Sequence, residues 1–269
     1  METKKLERII IIILALLNVF LLVVVLTGKR QERISRRDTT EMLTALLGER
    51  GVTVGPDVTL LQDCPAQCTV ARDLDLEQRR IQNLLGNHSS EDLGGSIWFY
   101  ASENGQVRMR GTGEIDILLS GAGVLRGRSP EKVTETLFSQ AEVSLVKTEE
   151  TENSLTFCCS WNGFPVYNAL LNVDYTRERV SMISGTIVFN VETETDAGAG
   201  MDSVSALVRF MDLMLDGDLT CSRLDSLTSG YYLSVTISGE STLTPVWRFA
   251  TDVRDYYINA VSGRIENIG

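Results

Sequence analysis

Apolar and polar positions repeat with three different periods along this chain, and the changes of period mark its parts. From Ile9 to Leu26 (IIIIILALLNVFLLVVVL) the run is apolar throughout except at Asn18. At helical rise this stretch covers roughly 27 Å, close to the hydrocarbon thickness of a bilayer, and a lone helix satisfies its own backbone there. The run is longer than the usual core of a signal peptide, Leu26-Thr27-Gly28 is a poor cleavage site, and Lys29-Arg30 follow at once. The pattern therefore predicts one uncleaved transmembrane helix over 9–26, preceded by a short cytoplasmic N-terminus over 1–8.

A helical period returns at Met42, Leu43, Ala45, Leu46 and Leu47, behind a capping box at Asp38–Glu41, with Gly51 as the stop. The stretch from Val52 to Leu61 reads as an extended connector around Gly55-Pro56, and Asp75–Gln78 opens a second short helix that runs to about Leu85. Residues 27–90 are thus expected to form a juxtamembrane stalk with short helices, closed by a polar turn over 86–95.

From there the period falls to two. Strands are predicted at Ile97–Tyr100, Gln106–Arg110 and Glu114–Leu119, with Asn104-Gly105 as a hairpin turn. Ser129-Pro130-Glu131 starts a helix whose apolar face is Val133, Leu137, Phe138 and Ala141. Further strands follow at 144–148, 154–161, 166–175 and 180–191. An acidic, glycine-containing loop is expected over 192–201, then a helix from Asp202 to about Leu215, then strands near 221–227, 231–238, 246–251 and 256–260. Antiparallel runs, each set introduced by a helix, indicate an α+β fold with two units, 91–192 and 193–269. A weak internal repeat supports this. Pro165-Val166-Tyr167 and Pro245-Val246-Trp247 each open a strand, and each is followed by a hairpin ending in Ser-Gly-x-Ile, at 184–187 and 262–265.

Composition narrows the function. The chain is 43% apolar and 23% charged, with a net charge of −11, while both flanks of the 9–26 run are basic. The domain is accordingly acidic, which argues against a nucleic-acid partner. Lys29, Arg30, Arg33, Arg36 and Arg37 outnumber Lys4, Lys5 and Arg8, so the charge rule taken alone places the domain in the cytoplasm.

Five cysteines leave at least one thiol unpaired in a monomer. Cys64 and Cys68 either close a small disulfide loop or remain two thiols. Cys158 and Cys159 are neighbours in a strand, so one is expected to face the core and the other outward. No metal site is expected, since His88 is the only histidine and no paired C-x-x-C occurs. Gly121–Gly127 misses the spacing of a phosphate loop, Asp216-Gly217-Asp218 lacks the rest of a calcium loop, and His88 has no nucleophile motif beside it. No catalytic residue and no cofactor are assigned. Asn18, an amide in hydrocarbon, either bonds a partner helix or its own backbone.

Several segments together carry a resemblance: Asn18-Val-Phe20-Leu-Leu; Arg72-Asp-Leu-Asp-Leu-Glu77 before a helix ending Leu84-Leu85-Gly86; Gly230-Tyr231-Tyr232; Thr244-Pro245-Val-Trp247-Arg248-Phe; and Tyr256-Tyr257-Ile-Asn259-Ala-Val-Ser-Gly263. In order and spacing the chain resembles the YycH/YycI family, closest to YycI, over nearly its whole length. The last segments also resemble PepSY-type repeats. The resemblance implies a single-pass protein with its domain outside the cell membrane, contrary to the charge rule. It implies a non-catalytic regulator of a WalK/YycG-like sensor histidine kinase in cell-wall homeostasis, with a sister YycH-like protein as co-partner. Asn18 and Phe20 would contact the partner's span. Gly230, Tyr231, Pro245, Trp247, Arg248, Tyr257, Asn259 and Gly263 would be structural motif residues. A different class stays open, an extracytoplasmic PepSY-like module that binds cell-wall polymer or inhibits a protease.

Overall fold

The computed structural model describes residues 42–59, 63–188, 191–196, 200–235 and 241–266. Among these no helix is long and apolar enough to cross a membrane. The 9–26 run, with Asn18 and Phe20, lies outside the described residues, as does the capping box at 38–41. The chain divides into two compact units, 1–54 and 55–269. In the first, helix α1 spans 42–49 and buries Leu43 and Leu47, one helical turn apart, as the sequence period predicts.

The second unit is mixed α and β, mostly sheet. Among the described residues its strands are β1 (Thr53–Val58, which begins at the unit boundary), β2 (Gln67–Ala71), β3 (Ser89–Gly94), β4 (Ile97–Ser102), β5 (Gly105–Arg110), β6 (Glu114–Leu119), β7 (Ser144–Glu150), β8 (Ser154–Trp161), β9 (Phe164–Tyr175), β10 (Val180–Thr186), β11 (Val191–Asp196), β12 (Arg223–Val235), β13 (Ser241–Thr251), β14 (Asp255–Asn259) and β15 (Ile265–Glu266). Three helices accompany them, α2 (Leu74–Leu85), α3 (Pro130–Gln140) and α4 (Ser203–Asp216). Each starts on a side-chain acceptor that satisfies an otherwise unpaired N–H: Asp73 for Leu76, Ser129 for Lys132, Asp202 for Ser205.

Among the described residues the strands are connected in one pairing path that falls into two sheets joined at β9 and β12: one holds β3-β4-β5-β6-β10-β9-β8-β7 in that order, and the other is built on β12 and β13, with β1, β2, β11, β14 and β15 around them. Helices α2 and α3 cover the first sheet. Ile81, Leu85 and Phe138 are fully buried with Tyr100, Val107, Ile115, Phe157 and Leu171. Helix α4 covers the second, where Phe210 stacks on Phe249 at 4.4 Å between ring centres and meets Tyr256 edge-on. A helix followed by an antiparallel meander thus occurs twice, as α3 with β8-β9-β10 and as α4 with β12-β13-β14.

Several elements depart from the sequence pattern, each for a local reason. The polar turn over 86–95 contains strand β3, whose residues are all exposed; it is an edge strand with neither face covered, so no alternation marks it. Stretches expected as a connector and as a loop are strands β1 and β11. Strand β11 pairs with β2 at a sheet edge, where an exposed acid such as Glu192 is tolerated. Pro245 does not open its strand but sits inside β13. It lies between the β2 pairing at 241–243 and the β14 pairing at 246–250, in a gap of the ladder where no N–H is required. Ser184-Gly185 lies within β10, whereas Ser262-Gly263 makes the turn after β14, so the two Ser-Gly pairs are not equivalent. Cys158 and Cys159 are both buried. A bulge between Cys158 and Ser160 breaks the alternation.

Candidate functional site

The two sheets meet where β9 passes β12, and among the described residues their one ladder contact there is a parallel bridge between Val166 and Tyr231. Gly230 makes the approach possible. A Cβ on it would lie 2.5 Å from the Pro165 carbonyl oxygen and 2.6 Å from the Tyr167 ring. Side chains complete the joint. The Tyr167 hydroxyl lies 3.0 Å from Thr228 Oγ1 and donates to the Ser229 carbonyl at 3.2 Å. The Asn168 amide donates to the Leu233 carbonyl at 2.7 Å and accepts from the Leu233 N–H at 2.8 Å, acting as a one-residue extension of β9.

On the same face, register places Arg248 between Thr228 and Tyr257. Its guanidinium pairs with Asp255 at 2.7 Å, and the Tyr257 ring lies 5.1 Å from that of Tyr167. Burial opposes the charge on Arg248, but the Asp255 carboxylate beside it wins, and the group is held above its ordinary value. Burial pushes the Tyr167 phenol up to about 12. It pushes the Cys158 thiol, which donates to the Val166 carbonyl, up to about 11. In this cluster Arg248 is paired with Asp255, and burial favours the protonated forms of Tyr167 and Cys158.

The predicted motif residues all fall on the β12-β13-β14 meander and the turn after it, but on two faces. Gly230, Arg248, Tyr257 and Asn259 lie on the junction face. Tyr231, Pro245 and Trp247 lie on the opposite, core face. Trp247 is fully buried and its indole N–H donates to the Met201 carbonyl at 2.9 Å. The Asn259 carboxamide accepts from the Val261 and Ser262 N–H groups and so shapes the last turn. Gly263 closes that turn at φ +69°, and its carbonyl accepts from Arg209 on α4. Tyr167, Asn168, Thr228 and Asp255, which complete the junction, escaped the sequence reading. The position of Tyr167 in the Pro-Val-aromatic repeat was the available signal.

A second cluster joins the other motif residues. Arg72 grips Glu77 through two bonds of 2.7 and 2.8 Å, and the Tyr100 hydroxyl donates to the same carboxylate at 2.7 Å. Glu77 is fully buried, and Arg72 also donates to the Ser96 carbonyl. This network pins the first turn of α2 to β4. His88 meets Tyr100 edge-on, and its Nδ1 lies 3.0 Å from the Gly86 carbonyl oxygen. An open groove of about 610 Å³ runs beside it, lined by Asp75, Gln78, Arg79, Gln82 and Asn87. Among the described residues no group of three or more side chains could hold a metal ion. Cys64 and Cys68 are free, as are the other three cysteines. Burial pushes the thiols of Cys64, Cys68 and Cys221 up to about 11 and that of Cys159 higher still, so none is poised as a thiolate.

No family model matches the chain, and no curated protein matches it. Among solved structures it is similar to an uncharacterized protein from Eubacterium rectale ATCC 33656, at 11% identity and a TM-score of 0.47, over 81% of this chain and 90% of that one. It is also similar to the Bacillus megaterium YpeB C-terminal domain, at 12% identity and a TM-score of 0.39, over 73% and 96%. Both superpositions are loose.

Proposed function

We propose that this chain is a non-catalytic, membrane-anchored regulator of a two-component sensor histidine kinase of the WalK/YycG type, with its domain outside the cell membrane and a sister YycH-like protein as co-partner. The observation that carries the reading is where the motif residues fall. Arg72 and Glu77 form a buried ion pair, Gly230 sits at the sheet junction, and Trp247, Asn259 and Gly263 fix the core and last turn of the meander. Residues that hold a scaffold, with no activated nucleophile beside them, support a module that works by contact. In this mechanism the chain binds one packing state of the kinase more tightly and shifts the population by that difference. Asn18 and Phe20 on the 9–26 span contribute the contact within the bilayer.

The test is co-purification of the tagged full chain from membranes, together with kinase output in cells. Asn18→Leu, and separately removal of the domain, are expected to change expression of kinase-controlled cell-wall genes; no change with either variant rejects the reading. The half-buried tyrosines of the junction face favour a second reading, an extracytoplasmic PepSY-like module that takes a cell-wall polymer. Retention of the chain on wall fragments, without any kinase in the membrane pull-down, selects it.

A further inference from the structure

The loop before α3 and the β9–β10 turn run side by side. Val124 bridges to Arg179, the Leu125 N–H donates to the Glu178 carbonyl at 2.9 Å, and the Val180 N–H donates to the Gly123 carbonyl at 2.8 Å. Gly123 is required here, because a Cβ would lie 2.1 Å from the Val180 carbonyl oxygen. Both segments turn just beyond this bridge, so one turn carries Arg126 and Arg128 and the adjoining turn carries Arg177 and Arg179. None of these four arginines has a carboxylate within ion-pairing distance among the described residues, in a chain of net charge −11. Glu178 in the turn is the one acid on these two segments, and the nearby Glu131 is taken by Lys147 at 3.1 Å. Arg126, Arg128 and Arg177 are exposed, while Arg179 is anchored on the Leu119 carbonyl.

Two large apolar side chains are exposed on the segments that Arg179 touches. Val124 is 37% exposed and Leu118, next to the anchoring Leu119, is 52% exposed. We propose that this end of the domain docks on an anionic phospholipid surface, the guanidinium forks taking headgroup phosphates and Leu118 with Val124 entering the headgroup–acyl boundary. Arginine suits phosphate because its planar fork can bind two oxygens at once. The mixture of arginine with exposed apolar groups separates a lipid surface from a soluble polyphosphate, which has no use for Leu118. The docking stands apart from the kinase reading and needs no kinase.

The full chain, held in neutral phosphatidylcholine nanodiscs, is mixed with vesicles with and without phosphatidylglycerol, and co-flotation is measured. Binding is expected only with phosphatidylglycerol, falling as salt is raised. Arg126→Gln with Arg177→Gln should weaken it about 30-fold, at the usual contribution of a basic side chain near an anionic surface. Leu118→Ser with Val124→Ser should weaken it by a smaller factor. Arg177→Gln alone, in an exposed turn, serves if the double variant does not fold. Unchanged binding in the arginine variants overturns the proposal and assigns the binding to the basic stretch at 29–37. Equally tight binding of soluble inorganic polyphosphate, insensitive to the two serine substitutions, also overturns it.

Discussion

Replacing Glu77 by leucine removes a fully buried carboxylate that receives two bonds from Arg72 and one from Tyr100. Two groups lose their acceptor. The Arg72 guanidinium keeps the Ser96 carbonyl and its side chain is 16% exposed, so water reaches it in part; the Tyr100 hydroxyl, in a residue with no exposure, keeps nothing. Breaking a buried ion pair from one side costs about 3–5 kcal/mol, and the partial exposure of Arg72 places this case near the lower end, at about 3 kcal/mol. Arg72→Met should cost a similar amount, since it strands the buried carboxylate. Removing both partners leaves neither charge uncompensated, so the double variant should fall well short of the sum, by about 2 kcal/mol or more. Urea unfolding of the full chain in detergent, followed by tryptophan fluorescence, reads all three variants; Trp98, stacked on Tyr100 at 6.3 Å, lies beside the network. Strict additivity, or a single-variant cost below about 1 kcal/mol, would refute the claim that this network locks α2 to the sheet.

Gly230→Ala should destabilise the chain by about 1–3 kcal/mol, because the added carbon meets a backbone oxygen that cannot move alone. Gly48→Ala on α1, where a Cβ meets nothing within 4 Å, should be neutral or stabilising, and calorimetry distinguishes the two. Asn168→Leu should cost about 1–3 kcal/mol by leaving both backbone groups of Leu233 without their bonds, seen as a lower urea midpoint. The phenols of Tyr100, Tyr167, Tyr231 and Tyr257 are all raised, first by burial. Their stability contribution is therefore intact below the ordinary phenol value of 10.0 and is lost as pH climbs from there through the folded values. The buried thiols add the same slope from 9.0 upward. A melting temperature that does not fall between pH 9 and 12 contradicts this.

The sequence made local features legible and left tertiary ones hidden. Ser129 and Asp202 announce their helices because a cap is a contact between neighbours. Helix α2 starts two residues before the position its pattern suggests, since Asp73 and Asp75 offer the same capping chemistry and Asp73 is the one that accepts from Leu76. Strands β5 and β6 show their alternation because one face is buried. By contrast β1, β3 and β11 carry no such pattern. Strands β1 and β11 are held by partners far along the chain, and β3 is the outer strand of a hairpin with β4. The junction cluster was half visible: Gly230, Arg248 and Tyr257 stood out within one segment, but Tyr167 and Asn168 come from a strand more than fifty residues away. Arg72 and Glu77 were noticed as a motif, and nothing local said that Tyr100 would close the pair.

The bridge between Val166 and Tyr231 has a mechanical consequence. Strands β12 and β13 share a ladder of 11 register pairs, but across the junction the backbone pairing is one bridge, backed by the side chains of Tyr167 and Asn168 and by the core that Tyr231, Leu233 and Leu243 share with the first sheet. A pull applied between the two sheets is expected to part that seam before it opens the β12–β13 ladder, because far fewer backbone bonds resist it there.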